Sequence, residues 1–255
     1  MVNMKLLLEE MTWPEIRDAL NDGDDCVIVP VGSIEQHGYH LPLCTDAALG
    51  QNAALELAVR LGNALVAPAV RPGLSEHHMA FPGTLTLRPE TFRMLLEDYA
   101  GCYIRHGFHK IVFLVSHGGN TTACKQILED LRKKNPDICF AYAAYFPTSE
   151  ELKEAETVYA LPAGANGGHA DDRETSEMLV LRPDLVLMER AAPGFTEPLT
   201  REHLKLFFDE GAHSLSEVGC IGDPRGAGAA RGKWYIKLAA DRLAREVREQ
   251  LSESS

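Results

Sequence analysis

Within twelve residues the sequence offers four side chains of metal-ligand type: Glu35, His37, His40 and Asp46. Imidazole nitrogen and carboxylate oxygen together suit Zn, Mn, Fe and similar cations. Glu35 and His37 are two apart, so in an extended segment both point to one side and can face one ion or two adjacent ones. Asp46 follows the turn 41–45, where a carboxylate can span two ions with its two oxygens. Its neighbour Thr45 is a candidate cap for the next helix. The alternative is a polar loop whose His and Glu make ordinary hydrogen bonds. Four ligand types packed at one strand end weigh against it.

A second cluster is Ser116-His117-Gly118-Gly119-Asn120, directly after an apolar run. The glycines permit a tight turn and close backbone approach to a ligand. Free N–H groups at a helix start can receive an oxyanion. A phosphate loop is a rival reading, but the Lys and full glycine spacing of such loops are missing. A third cluster is Gly168-His169-Ala170 with Glu174-Thr175-Ser176. A histidine titrates near neutral pH, so His169 is a candidate proton shuttle. Glu174 is either a further metal ligand or a carboxylate that favours a helix N-terminus. The loop 75–84, with Ser75 and His78, reads as a pocket wall or as an ordinary surface loop.

The elements that must carry these clusters follow from hydrophobic pattern. Residues 26–31, 64–67, 110–116 and 138–145 read as strands. Residues 46–61, 89–105, 120–134, 173–181 and 232–251 read as helices, with Pro89 in a first turn. Alternating strands and helices predict a single layered α/β/α domain over 1–255 with a mostly parallel sheet. Sites in such folds form beyond the carboxyl ends of the strands. That is where residues 32–37 and 117–120 fall. The Gly-rich stretch 191–232 is the least regular, and the final Ser-Glu-Ser-Ser reads as disordered.

A formal charge of −12 argues against nucleic-acid binding, which needs clustered Lys and Arg. No run approaches the ~20 apolar residues of a membrane span. The N-terminus lacks a signal peptide's apolar core. The six cysteines, Cys26, Cys44, Cys102, Cys124, Cys139 and Cys220, form no paired motif. They read as free thiols in a reducing cytoplasm.

Val29-Pro30-Val31-Gly32-Ser33-Ile34-Glu35-Gln36-His37-Gly38, with His40-Leu41-Pro42-Leu43 and Thr45-Asp46, resembles the opening motif of the creatininase (creatinine amidohydrolase) family. Phe81-Pro82-Gly83-Thr84, His117-Gly118-Gly119-Asn120, and His169-Ala170 with Glu174-Thr175-Ser176 resemble its later motifs, in order. The resemblance implies a layered α/β fold, a homohexamer and a hydrolytic site with two divalent ions (Zn, Mn or Fe). By position, Glu35 and His117 would hold one ion, His37 the other, and Asp46 would bridge them. His169 would match the catalytic histidine.

In creatininase proper the metal-binding His is followed by an aromatic residue and then a Glu ligand. Here Gly118 and Gly119 occupy those places, and Glu174 is the candidate replacement, as ligand and as part of the catalytic set. Ser75, His78, Gly118, Gly119 and Asn120 are the expected substrate contacts. The tryptophans that clamp creatinine have no counterpart, since Trp13 and Trp234 lie outside the motifs.

The expected activity is therefore hydrolysis of a C–N amide bond, in a cyclic amide or formamide of a small molecule, by water activated between two ions. Ring-opening C–C or lactone hydrolysis of a keto-inositol is the alternative on the same site. A non-catalytic metal or small-molecule binding protein is the alternative of another class.

Overall fold

The computed structural model describes residues 5–253. In chain order, α1 (Trp13–Asn21) precedes β1 (Cys26–Val31), and α2 (Thr45–Leu61) leads to β2 (Ala64–Val66). Then come α3 (Pro89–His106), β3 (Lys110–Val115), α4 (Thr121–Lys134), β4 (Cys139–Ala144) and α5 (Ser149–Tyr159). Last are β5 (Asn166–His169), α6 (Asp172–Leu181), α7 (Arg201–Glu210), β6 (Ile221–Gly222) and α8 (Ala229–Glu253).

Four strands form one parallel sheet in the order β2-β1-β3-β4. β5 and β6 form a separate antiparallel ribbon. Side chains alternate across a strand, and the sheet shows it. Cys26, Ile28, Val112, Leu114 and Ala141 pack against α2, α6 and α8. Val27, Val29, Ile111, Phe113 and Phe140 pack against α3 and α4 on the other face. The layered α/β/α expectation holds. Pro30 lies in an inner strand, which proline normally disrupts. Its carbonyl accepts from Val70 N–H (2.9 Å), and the missing donor falls on that side, beyond the end of β2.

The chain leaves β1 toward β2 on one side and β3 on the other. The crevice between the carboxyl ends of β1 and β3 is therefore a topological switch point, the usual ligand position in such sheets. The segments after β1 and β3 carry the first two clusters.

Several bounds shift by a residue or more, as expected where helix ends fray. Asn120 ends a 3-10 turn (Gly118–Asn120) rather than opening α4. The irregular stretch 191–232 holds α7 and β6. Ser252 and Glu253 extend α8, which corrects part of the disordered-tail reading; Ser254 and Ser255 lie outside the described residues. No disulfide joins the cysteines among the described residues. Among the described residues, no helix is long and apolar enough to cross a membrane.

α6, which carries Glu174, is held closely by α8. A Cβ built at Gly232 would lie 2.0 Å from the Ser176 carbonyl oxygen. We predict that Gly232→Ala forces these helices apart and destabilises the protein by about 1–3 kcal/mol, measured by urea unfolding. Unchanged stability would show that the contact is not tight.

Candidate metal centre

Backbone contacts aim the segment after β1 before any side chain is considered. Gly32 N–H donates to Val70 O (2.9 Å), Glu35 N–H to Leu43 O (3.0 Å) and Leu85 N–H to Ile34 O (2.9 Å). Glu35 and His37 are fully buried. Asp46 sits in the first turn of α2, where the helix dipole favours its charge. Thr45 is not the cap: it is the first helical residue, and its hydroxyl donates to Pro42 O (2.7 Å). Glu174 lies in the first turn of α6, where the helix dipole favours its charge, and its carboxylate also reaches toward His37. Asp171 is the cap there, accepting from Glu174 N–H (3.0 Å), while Glu174 Oε2 accepts from Ala170 N–H (2.7 Å). Ala170 has φ 50°, a left-handed conformation unusual for alanine.

These elements bring together two ligand sets that share one residue. In the first, His117 Nδ1 lies 3.1 Å from Glu35 Oε2 and 3.2 Å from Asp46 Oδ2. In the second, His37 Nε2 lies 3.3 Å from Asp46 Oδ1 and 3.6 Å from Glu174 Oε2. Asp46 thus presents one oxygen to each set. Two donors about 2.1 Å from a common ion, at angles of about 90–110°, are about 3.0–3.4 Å apart. Three of the four separations fit that spacing, and the His37–Glu174 separation of 3.6 Å is slightly wider. A third group, Glu35, His37 and His169, overlaps both.

Glu35 Oε1, His37 Nε2 and Asp46 Oδ2 are buried without a hydrogen-bond partner among the described residues. Buried polar atoms are rarely left so, and cations would satisfy all three. The histidine tautomers agree. His37 Nδ1 donates to Glu35 O (3.1 Å), which leaves Nε2 with its lone pair toward the carboxylates. His117 Nε2 donates to Leu74 O (3.1 Å), which leaves Nδ1 free in the same way. Such outer contacts orient metal-binding imidazoles. The donor set suits divalent transition metals.

Without an ion, the carboxylates act on these rings directly. Burial pushes the His37 pKa down, but Asp46, Glu174 and Glu35 outweigh it and raise it to about 10. His117 is likewise depressed by burial, then raised well above the ordinary value by Glu35 and Asp46. Burial, with His37 nearby, lowers His169 to about 4.

His169 Nε2 lies 2.9 Å from Gln36 O and 2.8 Å from Gln36 Nε2, and its Nδ1 faces Glu35 Oε1 at 3.7 Å. Gln36 also meets His78 Nδ1 (2.9 Å) and Gly219 O (3.0 Å). His78 Nε2 in turn approaches Glu35 Oε1 (3.3 Å). Gln36 thus organises both histidines, a role that sequence reasoning missed although the residue sits between Glu35 and His37. Arg173, also missed, pairs with Glu174 Oε1 (3.1 Å) and Glu177.

The remaining expectations divide. His40 is not part of the cluster: the chain reverses at the His37–Leu41 bridge, and His40 Nε2 bonds Thr175 Oγ1 (2.8 Å) instead. A cavity of about 220 Å³ opens beside Glu35 and His117, and His78, Gly118, Gly119 and His169 line it. Ser75 and Asn120 do not. Ser75 is buried behind Glu35, donating to its Oε2 (2.7 Å). The Asn120 amide is occupied by Leu74 N–H and Gly32 O, both at 2.9 Å. Substrate contact by these two is corrected to a scaffold role, because their polar atoms face the protein.

A sequence profile for the creatininase family, described as creatinine amidohydrolase, matches residues 9–247. The chain belongs to the creatininase family. It is 35% identical over 228 residues to the mycofactocin precursor peptide peptidase of Mycolicibacterium smegmatis, covering 86% of this chain and 84% of that protein. It is 26% identical over 262 residues to creatinine amidohydrolase of Pseudomonas putida, covering 98% of both. A zinc–zinc form of a creatininase variant superposes with TM-score 0.82 at 26% identity, covering 98% of this chain and 99% of that one.

In this creatininase-family hydrolase the loop after His117 leaves no room for a side chain at Gly119. A Cβ at Gly119 would lie 2.2 Å from Leu74 O, 2.5 Å from His117 Nε2 and 3.0 Å from His77 Cε1. No side chain fits there without moving that loop. Glu174 instead brings a carboxylate to His37 from α6.

The raised histidines give a test with a definite sign. In the metal-free protein, His37 contributes stability below its unfolded pKa of about 6.5, and loses it as pH rises through about 10. At pH 8 it is protonated, whereas a metal ligand must be neutral. We predict that Zn or Mn uptake at pH 8 releases about one to two protons per protein, read with an indicator dye in weak buffer. Uptake without proton release would contradict this picture of the site.

Proposed function

We propose that this protein is a metal-dependent hydrolase that cleaves a C–N amide bond of a small molecule, using two divalent ions. One observation carries the reading: the Asp46 carboxylate turns its two oxygens to two different ligand sets, Glu35 with His117 and His37 with Glu174. The relatives are named for creatinine amide hydrolysis and for peptide cleavage, and both involve C–N bonds. The cavity beside the cluster is small, which favours a compact substrate or one end of a longer one.

In this reading Glu35, Asp46 and His117 would hold one ion, and His37, Asp46 and Glu174 would hold the other. Bound ions of this kind supply an acidified water and a Lewis acid for a carbonyl oxygen. The chain's own groups do the rest. His169, neutral with its proton on Nε2 toward Gln36 O, would take a proton from the attacking water at Nδ1 and deliver it to the leaving nitrogen. Ser75 holds the Glu35 carboxylate at Oε2, while His78 Nε2 approaches Oε1 at 3.3 Å. The bare backbone at Gly118 and Gly119 lets the substrate approach closely.

Two variants test the scheme in purified protein loaded with Zn or Mn. Asp46→Ala should reduce bound metal from two equivalents to one or none, by elemental analysis. His169→Ala should keep its metal and lose about 10²–10⁴-fold in turnover, measured as amine or ammonia release from an amide panel. If the wild-type protein binds no transition metal, or releases nothing from any amide when loaded, the proposal fails.

A further inference from the structure

The cavity beside the ligand cluster has two unlike walls. One is the cluster itself, with glycine backbone. The other is apolar: Leu199, Leu204, Phe207, Phe208 and Ile221. No Lys or Arg lines the cavity, so on the wall away from the ligand cluster nothing would balance a substrate carboxylate. Three of the five apolar residues come from one helix, α7. Phe207 anchors it and is 8% exposed, yet Phe208 is 56% exposed and Leu204 43%. The core does not require these two to face the cavity mouth. Apolar side chains held open beside a polar cluster mark a binding surface.

His77 stands between the walls. Its ring stacks on His117 (centroids 5.6 Å apart, planes within 6°) and meets Phe207 and Phe208 at 5.0 and 5.1 Å. It is nearly buried, yet its ring nitrogens make no hydrogen bond among the described residues. An imidazole has both a donor and an acceptor to offer in this position. Gly119 makes the stacking possible, since a side chain there would meet His77 Cε1.

We propose that α7 and His77 form the substrate-selecting subsite, taking an uncharged, flat apolar group such as an aromatic ring attached beside the scissile amide. Phe208 and Leu204 cover the face of that group, and His77 bonds a polar atom at its edge. This rests on the reading of the adjoining cluster as the hydrolytic centre, and it adds which substrates that centre accepts.

Two hydroxamates separate the subsite from the metals, because both chelate ions but only one carries a ring. By calorimetry on Mn-loaded protein, benzohydroxamate should bind at least about tenfold more tightly than acetohydroxamate, as burial of a ring's area implies. Phe208→Ala, and independently Leu204→Ala, should shrink that ratio to less than about threefold. Both side chains are exposed, so both variants should fold. Equal affinity of the two probes for the wild-type protein overturns the subsite.

Failure of both to bind counts against the hydrolytic-centre reading instead. N-benzylacetamide with metal-free protein then decides the subsite by saturation-transfer NMR. Transfer to the ring protons that Phe208→Ala abolishes supports it, and no transfer overturns it.

Discussion

Three carboxylates, Glu35, Asp46 and Glu174, are buried beside one another with little but imidazole for company. Burying like charges this closely is among the most costly arrangements a protein can hold, because low polarity strengthens their repulsion. Positive charge must be supplied from somewhere. In the metal-free molecule it comes from His37 and His117, whose pKa values are driven up for that reason. Arg173 adds a fixed positive charge next to Glu174. Much of the surrounding structure serves this cluster: Ser75 behind Glu35, the Leu74 carbonyl on His117, and the Asp171 cap that orients α6.

The sheet makes such a concentration possible. Reversal of strand order at β1 opens a crevice between the ends of β1 and β3, and backbone there is not consumed by a neighbouring strand. α2 and α6 then point their first turns at the same place. Each brings one carboxylate where the helix dipole offsets part of its charge. The ligands thus come from four separate parts of the chain.

The parallel sheet was legible because its strands are short continuous apolar runs, buried on both faces. The ribbon of β5 and β6 was not: half of its residues are glycine and its pairing depends on distant chain. α5 carries a Thr148–Glu151 capping box that could have announced it. At the site, Glu35, His37, Asp46, His117 and Glu174 were singled out by residue type, and the structure gathers them. Spacing could not exclude His40, since a reversal of the chain after His37 turns that ring toward Thr175. Nor could it separate His77 from His78, adjacent residues that do different things. Ser75 and Asn120 show the same limit from the other side. A polar residue in a motif is as apt to hold the backbone as to meet a substrate.

The place of Glu174 in the chain has a consequence for biosynthesis. A chain made from its N-terminus has Glu35, Asp46 and His117 available early. His37 gains its second carboxylate only once residue 174 has been made. α6 then gains its packing against α8 only when Gly232 and the rest of that helix have been made. The two halves of the cluster therefore depend on stretches of chain made at different moments of synthesis, and the second waits for the later one.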